Sequence, residues 1–158
     1  MTTGKVRGLA ICLCRQDDRI LVGEYYDRVK AETFYRPLGG TIEFGERGEQ
    51  ALRREFREEI GAELHDLRWI GTLENIYVCE GVPGHEIVLV FDGRLADVDL
   101  YAAASIPVDE NGQSMRAVWR ALAEFTPGAS PLYPDGLLEL LTCPPTGDPS
   151  GGIEAHQA

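Results

Sequence analysis

Apolar and polar residues alternate in short runs along most of the chain, a pattern of strands joined by tight turns. Residues 6–14 (VRGLAICLC) and 20–24 (ILVGE) are two such runs, and the polar turn Arg15-Gln16-Asp17-Asp18-Arg19 between them predicts a hairpin. Residues 25–32 are polar with no clear period and read as a loop. Phe34-Tyr35-Arg36 is a short extended piece entering Pro37-Leu38-Gly39-Gly40, where proline and the paired glycines exclude a helix. Further strands are expected at 67–73, 75–80 and 86–95, with Gly81-Val82-Pro83-Gly84 turning the chain between the last two. The segment 101–115 is mixed and reads as loop, 117–121 as a short strand around Trp119, and 122–125 as a brief turn.

The period lengthens to that of a helix in two places. Leu52, Phe56 and Ile60 recur every fourth residue, forming a stripe fit to seat a helix on a sheet, and Gly61 is its expected C-cap. Later, Leu137, Leu138, Leu140 and Leu141 behind Asp135 as N-cap predict a closing helix over 135–141. From Pro144 the composition turns to proline, glycine and small polar residues, so residues 1–143 are expected to form the domain and 144–158 a disordered tail. Strands on both sides of a central helix, then a terminal helix, predict an α/β or α+β sandwich with a mixed sheet between helical layers. The sequence contains no internal repeat.

At 158 residues the chain suits one domain burying roughly two thirds of its unfolded surface. With 26 acidic against 15 basic residues the net charge is -11, which argues against general affinity for nucleic acid or anionic membrane. Cys12, Cys14, Cys79 and Cys143 lack C-x-x-C spacing, and Cys12 and Cys14 share one face of a strand as small apolar groups, which fits a reducing cytoplasm better than a zinc site. The apolar run 9–14 is too short to span a membrane and reads as a strand, not a secretory segment.

Chemistry concentrates on the central helix. Taking Glu55 as zero, Glu59 lies about 40° to one side and Glu58 about 60° to the other, so three carboxylates share one strip beside the apolar stripe. Arg53 and Arg57 then face water, while Arg54 borders the acidic strip. Like charges this close repel, and a hard divalent cation is the natural compensation.

The order Gly40, five residues, Glu46, seven residues, Arg54-Glu55-Phe56, one residue, Glu58-Glu59, one residue, Gly61-Ala62 resembles the Nudix hydrolase signature, G-x5-E-x7-R-E-U-x-E-E-x-G-U with U apolar. The resemblance implies an α/β/α sandwich with the motif as a loop, helix and loop at one edge of the sheet. It implies that Glu55, Glu58 and Glu59 hold Mg2+ or Mn2+, assisted by the backbone carbonyl of Gly39. It also implies a salt bridge between Glu46 and Arg54 that orients the loop; Glu43, inside the turn, reads either as a support behind the metal-binding glutamates or as a plain exposed residue. The activity implied is hydrolysis of a nucleoside diphosphate linked to another group X, by attack of a metal-bound water.

A general base is less directly placed. Crowded carboxylates split their pKa values, so Glu58 or Glu59 could take the proton. Many relatives instead use a glutamate close before the tryptophan-bearing strand. Here those positions are Ala117 and Val118, and Glu110 is the substitute. Arg28 and Arg36 could bind a substrate phosphate by bidentate hydrogen bonds. Tyr77, Tyr35 and Phe34 could stack a base, while His85 reads as structural. Subfamily markers for dinucleoside polyphosphates, ADP-ribose or NADH are not met, so X stays open, as does a homodimer. Two alternatives remain at this point: a nucleotide-sensing module without turnover, in which a signature glutamate would be replaced, and a prenyl diphosphate isomerase, whose product would keep its phosphates.

Overall fold

Alternate residues of the first strand enter two separate cores, and this sets the layering of the molecule. The computed structural model describes residues 4–143. Its elements are β1 (Val6–Gln16), β2 (Arg19–Asp27), β3 (Glu32–Pro37), β4 (Gly39–Thr41), α1 (Gly48–Ile60), β5 (Leu64–Cys79), β6 (Val82–Leu95), β7 (Ile106–Glu110), β8 (Gln113–Ala121) and α2 (Leu137–Thr142). Short 3₁₀ turns occupy Val98–Tyr101 and Leu122–Glu124.

Because side chains along a strand point to opposite faces, Ala10, Cys12 and Cys14 of β1 join Leu52 and Phe56 of α1 in one core. Leu9, Ile11 and Leu13 join Val88, Val90 and Leu137 in the other. The two helices therefore cover opposite faces of the sheet. Leu52 and Phe56 are fully buried, each contributing about 1.5–3 kcal/mol by leaving water. The sheet runs β5-β6-β1-β2-β8-β7, with β3 on β2 and β4 on β1. It is mixed, since β1 lies parallel to β6 and antiparallel to its other partners. The fold is the expected α+β sandwich.

Helix α1 begins where the Gln50 side-chain oxygen accepts the Arg47 N–H at 2.8 Å. It ends at Gly61, whose φ of 65° and N–H to the Arg57 carbonyl at 3.1 Å make it the anticipated cap.

Several boundaries differ from expectation. Residues 67–79 belong to one strand, β5, because Glu74 between the two apolar runs faces solvent and pairs with His85 at 2.9 Å without breaking the ladder. The turn that follows is Glu80-Gly81, both at positive φ, so residues 82–84 lie inside β6. Of the expected loop at 25–32, residues 28–31 do form a turn, while 25–27 end β2 and Glu32 opens β3. Residues 106–110 and 113–121 form a hairpin turned by Asn111-Gly112, both at positive φ; the expected strand at 117–121 is the end of β8, while β7 and the start of β8 lie where a loop was expected. Helix α2 is capped by Gly136, not Asp135, and reaches Thr142. The expected tail, 144–158, lies outside the described residues. Among the described residues no helix is long and apolar enough to cross a membrane.

Candidate active site

Two glycines bring the backbone of β4 against the acidic helix. At Gly39, φ is 149° and a Cβ would stand 2.1 Å from the Ala10 carbonyl oxygen, so only glycine lets β4 lie on β1 here. At Gly40 a Cβ would stand 2.3 Å from the Glu55 carboxyl carbon. The missing side chain is thus the seat of Glu55.

The three glutamates share the strip expected of them but differ in environment. Glu58 is exposed, Glu55 is largely covered, and Glu59 retains 8% of its surface. Arg54 holds Glu46 through Nε and Nη2 at 2.9 Å each, reaches Glu55 at 2.7 Å and Glu58 at 3.5 Å, and donates to the Thr41 carbonyl at 3.0 Å. Its contact to Glu46, followed by the Glu43 N–H, holds the Glu46 carboxyl below its ordinary value. The exposed Glu43 therefore serves the loop through its backbone. Arg53, expected to face water, instead donates to the Leu64 carbonyl and is half-buried.

Glu59 is pushed up to about 8, first by burial and then by the charges of Glu110, Glu55 and Glu58, which Arg36 does not offset. Glu110, at the end of β7, is thereby brought to bear on the acidic strip. Ala117, at a position where relatives carry a glutamate, is fully buried in the core.

Hard oxygen donors and a buried carboxylate crowded by like charge suit a divalent cation. Among the described residues no three potential ligands surround a common point as they stand, and Arg54 pairs with both Glu55 and Glu58.

Beside the strip, a cleft of about 390 Å³ opens between the β2–β3 hairpin and β5, lined in part by Tyr25, Phe34, Arg36, Asn75, Tyr77 and Tyr133. Its floor holds a fully buried carboxylate, Glu86. Tyr77 donates to it at 2.7 Å, Arg36 and the Asn75 amide nitrogen at 3.4 Å each, and Arg7 pairs with it directly. Burial alone would raise Glu86, but Arg36, Tyr77, Arg7 and Asn75 together hold it below the ordinary carboxylate value. Arg36 thus bridges two acids, Glu86 by contact and Glu59 by its field. Arg28 is exposed in the β2–β3 turn, 4.0 Å from Glu80, and does not line the cleft. Tyr35 is core, packed edge-on to Phe125 under Arg120. His85 pairs with Glu74 and does not line the cleft.

Tyr25, Asn75 and Glu86 escaped the sequence reading. Glu86 carried a usable signal, an acid opening an apolar run, whereas Asn75 and Tyr25 become neighbours only through the sheet order.

Carboxylates arrayed on a helix and braced by arginine, with a second arginine, Arg36, lining a neighbouring cleft, are the equipment of a phosphoanhydride hydrolase. A family model described as the NUDIX domain matches residues 4–138, and the chain belongs to the Nudix family. With the family comes its general activity, hydrolysis of a pyrophosphate linkage. Solved structures agree on the fold. A MutT NUDIX hydrolase from Burkholderia pseudomallei is 20% identical with a TM-score of 0.58, covering 79% of this chain and 90% of its own. The E. coli ORF135 protein is 21% identical at 0.54, over 90% of this chain and 92% of its own. A NUDIX hydrolase from Nitrosomonas europaea is 22% identical at 0.54, over 76% and 75%.

Proposed function

We propose that the protein hydrolyses the pyrophosphate bond of a nucleoside diphosphate linked to another group, with Mg2+ or Mn2+ held by Glu55, Glu58, Glu59 and the Gly39 carbonyl. The observation that carries this reading is the buried Glu59, crowded by Glu55 and Glu58 beside the glycine seat at Gly40. A divalent cation there supplies positive charge to the phosphate oxygens as electron density builds on them.

The chain's own groups do the remaining work. Arg54, gripping Glu46, keeps the loop from Thr41 to Glu46 against the helix and fixes the direction of the carboxylates. Arg36 presents its guanidinium between the acidic strip and the cleft, where it binds a substrate phosphate. Glu110 or Glu59 accepts the proton of the attacking water. Tyr77, held by Glu86, forms a rigid wall for the bound group. The substrate is a small molecule, every residue named comes from one chain, and the unpaired cysteines suit the cytoplasm.

A phosphate-release assay over a panel of nucleoside diphosphate derivatives, run with Mg2+, with Mn2+ and with chelator, tests the reading. Turnover with metal that chelator abolishes is expected. Products retaining all their phosphates, or activity indifferent to chelator, would overturn it.

A further inference from the structure

Three side chains that line the cleft, Arg36, Asn75 and Tyr77, converge on one carboxylate behind them, that of Glu86. No part of Glu86 reaches solvent. Its two oxygens are held differently. Oε1 accepts the Tyr77 hydroxyl at 2.7 Å and pairs with Arg7, which also donates to the Tyr77 oxygen at 3.0 Å, so the three groups close a triangle. Oε2 accepts from Arg36 and from the Asn75 amide nitrogen, at 3.4 Å each. The anchor is therefore complete before Arg36 joins it.

Charge counting shows what the anchor leaves over. One carboxylate stands between two guanidiniums, and the half-exposed Arg7 already claims it at close range. Arg36 thus keeps attraction for a further anion in a chain whose net charge is -11. Among the described residues its side chain makes one hydrogen bond, from Nη2, so the N–H groups of Nε and Nη1 are still to be used.

Two acidic groups compete for this arginine. Its field reaches Glu59 on the acidic strip, and a guanidinium without a fixed partner is drawn toward the carboxylates gathered there. No backbone ladder prevents this, because β3 is a neighbour of neither β5 nor β6 in the sheet. The ion pair to Glu86 alone ties the Arg36 head to the opposite strand.

We propose that Glu86 is a positioning residue, which holds Arg36 at the cleft wall and away from the acidic strip, so that Nε and Nη1 meet a substrate phosphate. The proposal rests on the hydrolase reading above and adds the group that keeps its phosphate-binding arginine in place. Losing Glu86 has two consequences: the phosphate loses a donor, and the metal-binding glutamates gain a rival cation.

The test is titration calorimetry on the full chain in Mg2+ with methylenediphosphonate, a non-hydrolysable pyrophosphate that carries no further group. Glu86→Gln keeps the shape but not the charge, and is expected to bind it at least about 10-fold more weakly, as is Arg36→Gln. Because both act through one guanidinium, the double variant should fall no more than about 2-fold below Arg36→Gln. In a second titration, with Mn2+ alone, Glu86→Gln should bind at least about 3-fold more weakly than wild type, and adding Arg36→Gln should restore the affinity. A carboxylate that merely supported the fold would not be rescued by a second substitution. Wild-type affinities in Glu86→Gln, losses that multiply in the double variant, or no binding of methylenediphosphonate by wild type overturns the proposal. Should Glu86→Gln fail to fold, Glu86→Asp keeps the buried charge but withdraws it from Arg36. It is expected to bind methylenediphosphonate at least about 3-fold more weakly, and wild-type affinity there overturns the proposal equally. Coupling between Glu86 and Arg36 in a protein that cleaves no nucleoside diphosphate derivative would remove the hydrolase reading and leave this one standing. Cleavage without that coupling would do the reverse.

Discussion

Arg54 grips Glu46 as a fork, Nε on one carboxylate oxygen and Nη2 on the other, both at 2.9 Å. The same guanidinium touches Glu55, Glu58 and the Thr41 carbonyl, so one side chain orders the loop and the acidic strip together. Lysine keeps the charge but has no planar fork. Arg54→Lys is expected to lower kcat at least about 10-fold and stability by about 1–2 kcal/mol. Urea denaturation beside steady-state kinetics measures both, and unchanged kinetics would mean that the brace is dispensable.

Neighbouring glycines are expected to respond to alanine in opposite ways. At Gly40 the added methyl meets the end of the Glu55 side chain, which can move. Gly40→Ala should fold, yet require at least about 10-fold more Mg2+ for half-maximal turnover, on the scale of weakening one charged ligand. At Gly39 the methyl meets backbone, the Ala10 carbonyl oxygen, and the positive φ adds strain. Gly39→Ala should lose several kcal/mol of stability, on the order of an overpacked core site. Comparable melting temperatures for the two variants would contradict this distinction.

Glu59 supplies a pH dependence. In the metal-free chain its carboxyl rises from an ordinary 4.5 to about 8, so folding favours the protonated acid. Stability is unaffected by this group below the lower value, falls as pH rises between the two, and is fully reduced above the upper one. In chelator, the melting temperature of wild type should therefore drop relative to Glu59→Gln from about pH 5 to about pH 8. A gap constant across that range would show that Glu59 titrates as an exposed acid. Because the metal requires the ionised form, Mg2+ affinity should climb through the same window. Turnover of Glu59→Gln should fall at least about 10²-fold.

Glu110 acts on Glu59 from another strand, and loss of its charge tests its part in proton transfer. Glu110→Gln is expected to cut kcat about 10²-fold with KM little changed, and to flatten the acidic limb of the pH–rate profile. A variant with wild-type kcat would leave Glu59 as the acceptor of the proton.

What the sequence discloses tracks how local each feature is. Glu55, Glu58, Glu59, Arg54 and Glu46 lie within one loop and helix, so spacing alone brings them together. The Leu52 and Phe56 stripe likewise announced its buried face. The cleft is different: Phe34 and Arg36 come from the β2–β3 hairpin, Asn75 and Tyr77 from β5, and Glu86 from β6. Those strands approach only because β1 pairs with β6 in parallel, a choice that periodicity does not encode. Glu74 misled for the converse reason, since a charge at a solvent-facing strand position interrupts an apolar run without interrupting the strand. Asn111-Gly112 was a legible hairpin turn, obscured by the polar residues on either side of it.

The buried Asp27 ties together the tips of two hairpins. One of its oxygens accepts the N–H groups of Val29 and Lys30 at 2.9 Å each, and the other accepts the Glu80 N–H at 3.0 Å, while Lys30 donates to the Val78 carbonyl at 2.5 Å. Asp27, Lys30 and Val78 also line the cleft. A single buried carboxylate thus fastens together two hairpins that lie 53 residues apart in sequence.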